Sequence, residues 1–98
     1  MNRLEYFQPA LDEIDEVLAY YQAIDPVVSQ RLVIDIEQAL SAVIHMPQSW
    51  KSIGGRLRQK RLKSFPYLIN YLPNDDVIWV VAFANTHRLP NYWRNRLS

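Results

Sequence analysis

Apolar residues recur every three or four positions through the first half of this chain, and every second position through much of the second half. Leu11, Ile14, Leu18 and Tyr21, with Val17 widening the stripe, predict an amphipathic helix over 9–22. Pro9 suits its first position, where a missing N–H costs nothing, and Asp12, Glu13, Asp15 and Glu16 lie near the positive end of the helix dipole. Asp25-Pro26 then restarts the pattern as N-cap and first helical residue. Val28, Leu32, Ile36, Leu40 and Val43, with Ile44 beside them, mark the buried face of a second helix that Pro47 ends. So short a connection predicts an antiparallel helical hairpin.

The remaining segments read as strands. Residues 2–7 are short and β-prone. Residues 48–55 form a loop holding both glycines, and 57–63 is a basic segment that suits a strand with one wet face. After the Ser64-Phe65-Pro66 turn, residues 67–72 alternate, with Tyr67, Ile69 and Tyr71 on one face and Leu68, Asn70 and Leu72 on the other. Pro73-Asn74-Asp75-Asp76 is turn chemistry, and 77–84 is apolar on both faces, as expected of an interior strand. The expected architecture is α+β, in the order β-α-α-β-β-β, with an antiparallel sheet covered on one face by the helical hairpin. At 98 residues the chain is expected to form a single domain over 1–98.

Charge changes this picture. Residues 1–50 carry Arg3 and Arg31 against eight acids, whereas residues 51–98 carry nine lysines and arginines against Asp75 and Asp76. The overall charge of +1 conceals a chain divided at its midpoint, so one face is expected to meet phosphates or an acidic protein segment. The chain has no cysteine, which excludes disulfides, thiolate metal sites and cysteine nucleophiles. The acidic start has no hydrophobic run, and the longest apolar stretch is far too short to span a bilayer. A soluble, cytoplasmic location is expected, with no membrane partner.

Two basic groups are the candidates for chemistry. Lys51, Arg56, Arg58, Lys60, Arg61 and Lys63 form one, and His87, Arg88, Arg94 and Arg96, interleaved with Tyr92 and Trp93, form the other. Adjacent sheet elements would bring them onto one surface, where cations bind phosphates and rings stack on bases. A solvated strand face with a frayed tail explains the same composition. His87 is the natural proton donor near these arginines, because its ordinary pKa lies near neutrality. His45, beside a helix C-terminus, reads as structural. Asp75 and Asp76 read as a turn pair, and neither a metal site nor a cofactor is expected.

Particular runs of residues also resemble a known family. Asp12-Glu13-Ile14 through Tyr20-Tyr21, then Pro26, then Pro47, is similar to the helical half of the RelE/ParE superfamily of bacterial toxins. Leu57-Arg58 and Phe65-Pro66-Tyr67-Leu68-Ile69-Asn70-Tyr71 resemble its middle strands, and the run from His87 to Leu97 resembles the ending of many ParE-like members. The chain departs from relatives that carry a histidine where Asn85 stands and a second arginine where Leu89 stands, which thins the polar groups available for RNA cleavage.

The resemblance implies the toxin of a type II toxin–antitoxin pair, with a cognate antitoxin as partner. ParE-like members block DNA gyrase by binding it, and the resemblance favours that action here. Arg58, Lys60, Arg61, Arg88, Tyr92, Trp93 and Arg96 are then the candidate contacts to target or antitoxin. RelE-like members instead cleave messenger RNA on the ribosome, which would place Arg58, Arg61 and Arg88 on the phosphate, with His87 or Tyr92 as acid. A basic nucleic-acid-binding module without toxicity is the third reading. Trp93 is expected to dock on the sheet, since exposure would leave a large apolar ring in water.

Overall fold

Asp25 ends one helix and begins the next. Its N–H donates to the Tyr21 carbonyl, while its carboxylate accepts from the Val27 N–H at 3.0 Å. With Pro26 supplying a preset φ at the next position, α1 (Gln8–Ile24) passes to α2 (Pro26–His45) through this one residue. The computed structural model describes residues 2–88 and 91–97, so Leu89 and Pro90 of the family-like ending lie outside the described residues. Five strands complete the fold: β1 (Arg3–Tyr6), β2 (Lys51–Ser52), β3 (Arg58–Arg61), β4 (Tyr67–Asn74) and β5 (Val77–Asn85). A 3₁₀ turn over Arg94–Leu97 follows them.

The sheet runs in the order β1-β5-β4-β3-β2. All its pairs are antiparallel except β1 with β5, so the first strand joins the sheet beside the last. The α+β order expected from sequence is present, with a parallel edge pair and a short fifth strand added to it. The two-residue β2 lies inside the segment expected to be loop. It is too brief to leave a periodic signal.

The hairpin lies on one sheet face. Ala10, Leu32, Ile36 and Ala39 pack with Leu62, Tyr67, Ile69, Val80 and Phe83, and Val43 closes over Tyr71 and Ile78. Tyr67 and Phe83 stack in parallel at 5.1 Å between centroids. A register shift in the β4–β5 ladder pairs Asn70 with Ala82 and Tyr71 with Val80. Val81 is left over as the extra residue of a bulge. It therefore joins Ala82 on the face away from the helices, where both are fully buried.

Pro73 lies inside β4 and not in the turn. Its carbonyl accepts from Arg56 on the side away from β5. Its nitrogen faces the same way, so the missing donor removes no bond from the β4–β5 ladder. The turn itself is Asp75-Asp76, with Asp75 at φ 54°, a left-handed conformation that aspartate tolerates.

Asp35 supports the fold from within α2. It is 5% exposed, and its carboxylate accepts backbone N–H bonds from Lys63, Ser64 and Phe65 at 3.2, 2.8 and 3.1 Å. This fastens the β3–β4 turn to the second helix.

Candidate functional site

The tail closes the face of the sheet that the helices leave open. Asn91 adopts φ 69°, reversing the chain, and its side-chain oxygen accepts from Arg94 Nε at 2.7 Å. Arg94 also donates to the Ile53 carbonyl at 2.7 Å and lies beside Gly54, whose φ of +120° few other residues adopt. These restraints seat Trp93, 4% exposed, against Leu57, Val81 and Ala82, as the sequence led us to expect. The guanidinium of Arg94 covers the indole from outside at 4.8 Å.

Glu13 receives the rest of the tail. Arg96 donates to both oxygens of this α1 carboxylate, at 2.9 and 3.1 Å, and Tyr92 donates to it at 2.5 Å. The Phe83 N–H supplies a fourth bond at 3.1 Å, and Arg96 also donates to the Val81 carbonyl at 3.0 Å. These two backbone groups lie on β5 beyond the point where β1 stops pairing, so side chains replace the absent strand.

Burial alone would raise the pKa of Glu13, but the bonds from Arg96, Tyr92 and Phe83 outweigh it, and the carboxyl is held below the usual glutamate value. A depressed carboxyl stabilises the fold fully above its unfolded pKa. That contribution is lost as pH falls through the lower, folded value.

The tyrosines show the opposite sign. Burial, with the Glu13 carboxylate adding to it, pushes Tyr92 up to about 12. Burial raises Tyr71 and Tyr67 to about 12 as well, and the neighbouring Tyr21 contributes to the rise of Tyr67. The stabilisation from these neutral phenols is complete below the ordinary tyrosine pKa near 10 and disappears as pH rises towards 12. Spectrophotometric titration is expected to show tyrosinate forming in two steps, the second near 12 and coincident with unfolding. A single step near 10 with the fold intact would contradict this.

Beside the docked tail lies a cleft of about 350 Å³, lined by Lys51, Gln59, Asn70, Asn85, Arg88 and Arg94 among others. A second depression of about 470 Å³ shares Lys51, Gln59, Leu68 and Thr86 with it and adds Trp50, Lys60 and Arg61. Together they form a continuous groove, and among the described residues no acidic side chain lines it. Gln59 donates to Asn70 at 2.9 Å across its floor. The Asn85 side chain accepts from the His87 N–H at 2.8 Å, shaping the turn that presents His87 and Arg88 to solvent. The Arg88 guanidinium lies 4.1 Å from the centre of the Tyr92 ring.

The two basic stretches therefore meet only in part. Lys51 and Arg61 from the first reach the groove with Arg88 and Arg94 from the second. Arg58 pairs across the ladder with Tyr71, on the face beneath the helices, and donates to the Trp50 carbonyl at 2.8 Å. Lys60 belongs to the same face and reaches the groove only at its rim, with its ammonium 4.2 Å from the Trp50 ring. Strand alternation separates Arg58 and Lys60 from Arg61.

Tyr92, Trp93 and Arg96 are directed inward, to Glu13 and the sheet. From the sequence, Glu13 has only a helix-dipole role, and nothing there marks Gln59 or Asn70 as lining the groove. The one signal for Glu13 is its position on the inner side of the stripe, next to Ile14 and four residues before Val17.

The comparisons with known proteins agree with this architecture. The sequence matches the family described as the ParE toxin of the type II toxin–antitoxin system parDE, over residues 4–90. Among solved structures, a chain from the chromosomal ParDE toxin–antitoxin system of P. aeruginosa superposes with a TM-score of 0.66 at 17% identity, covering 87% of this chain and 96% of that one. No curated protein matches the chain. With the family match extending over nearly the whole sequence, the chain belongs to the ParE toxin family of type II toxin–antitoxin systems.

Proposed function

We propose that this ParE-family toxin acts in the cytoplasm by binding and blocking DNA gyrase, breaking no bond itself, and that a cognate antitoxin neutralises it. The observation that favours binding over RNA cleavage is the engagement of Tyr92. Its hydroxyl is given to Glu13 and its pKa is pushed up to about 12, far from the neutral range where a proton donor is most effective. Arg96 is likewise spent on Glu13. What the surface offers is a groove lined by the cations Lys51, Arg61, Arg88 and Arg94, suited to an acidic partner. An acidic antitoxin segment that orders on this groove would neutralise those charges, with apolar anchors adding affinity.

Purified protein added to a gyrase supercoiling assay and to a ribosome-programmed cleavage assay tests both readings. Supercoiling is expected to stop and the message to remain intact. Cognate antitoxin should restore supercoiling, less effectively as salt is raised. Message cleavage that His87→Ala or Arg61→Ala abolishes would establish the ribonuclease reading in its place.

A further inference from the structure

The geometry points to Glu13 as a positioning residue for the cationic groove, acting through the Tyr92 ring on which Arg88 lies. Glu13 lines neither depression of the groove and sits on α1, in the acidic half of the chain. Its link to the groove is a short series of contacts. The carboxylate fixes the Tyr92 hydroxyl and both terminal nitrogens of Arg96. The Tyr92 ring then carries Arg88 at 4.1 Å on the groove side and Arg96 at 5.2 Å. An exposed arginine has several rotatable bonds, and holding it in one place costs entropy that a partner must otherwise supply. A ring locked by a four-bonded carboxylate meets that cost in advance, so Arg88 is presented in a defined place.

The inference rests on the reading of the groove as the surface shown to the target. It also makes a prediction opposite to that of charge alone. Glu13→Gln removes a negative charge from the neighbourhood of a cationic face and releases Arg96, so net charge predicts stronger retention on a polyanion. Loss of positioning predicts weaker retention.

Immobilised heparin is the probe, with supercoiling inhibition measured in parallel at a temperature where every variant is folded. Glu13→Gln is expected to elute at lower salt than the wild type, and the concentration for half-inhibition is expected to rise about tenfold. Arg88→Ala should show a similar loss, and the double variant should lose no more than Arg88→Ala alone. Tyr92→Leu keeps the Glu13–Arg96 pair but removes the ring, and should reproduce the loss if Glu13→Gln folds poorly. Elution of Glu13→Gln at unchanged or higher salt, additive losses in the double variant, or unchanged retention of Tyr92→Leu would each overturn the assignment. Should the wild type leave supercoiling untouched, the gyrase reading falls, while the heparin comparison still decides the role of Glu13.

Discussion

Asp35→Ala is expected to destabilise the protein by about 3–5 kcal/mol, which in a domain of this size lowers the melting temperature by roughly 15 °C or more. A loss of this size reflects what the carboxylate does. It is 5% exposed and accepts three backbone N–H groups from one turn. Bonds to an ionised acceptor each contribute about 1.5–3 kcal/mol, and donors left unsatisfied in a buried site cost about 1–3 kcal/mol apiece. Water reaching the emptied space recovers part of that loss, so the sum is smaller than three full bonds. Asp35→Asn should fall between the wild type and the alanine variant, because its amide keeps one acceptor but turns a donor towards N–H groups. Thermal melts of the three proteins check the order. An alanine variant within about 1 kcal/mol of the wild type would show that the turn holds without α2.

Trp93→Ala is the second large effect, at about 3 kcal/mol, within the range for truncating a buried aromatic side chain. The ring is 4% exposed between Leu57, Val81 and Ala82. Its removal leaves the tail held by Glu13 and the Arg94 contacts alone, so the tail should open before the rest unfolds. Urea titration should therefore show a lower midpoint together with a smaller m-value, because part of the surface is already exposed in the variant's native state. A lower midpoint with an unchanged m-value would mean that tail and sheet unfold as one unit.

The helical hairpin is legible in the sequence because its signals are local. The 3.6-residue period, Asp25-Pro26 and Pro47 all act within a turn or two of the residues they organise. The alternation of Tyr67, Ile69 and Tyr71 likewise places these residues on the helix-covered face, where they are buried. Pro73 misleads, since proline beside Asn-Asp-Asp reads as a turn. Only the three-dimensional arrangement shows that its nitrogen faces away from β5.

Non-local facts are the ones that sequence patterns do not carry. Nothing in residues 3–6 signals a parallel partner more than seventy residues away. The candidate site divides along the same line. The convergence of two basic stretches could be anticipated from charge, but the register that sends Arg61 one way and Arg58 the other depends on ladder pairing. Glu13 is the least visible in the sequence, because an acid near a helix start already has a sufficient local explanation in the helix dipole.

The pairing of the first strand with the last also constrains how this protein comes into being. Val77–Val80 must leave the ribosome before Arg3–Tyr6 find their neighbour, so the sheet cannot close on its first strand until then. High contact order of this kind slows folding and leaves the early helices with their apolar sides uncovered until the later strands are available. The cationic groove, built on the sheet and its docked tail, therefore takes shape only after the helices that back it.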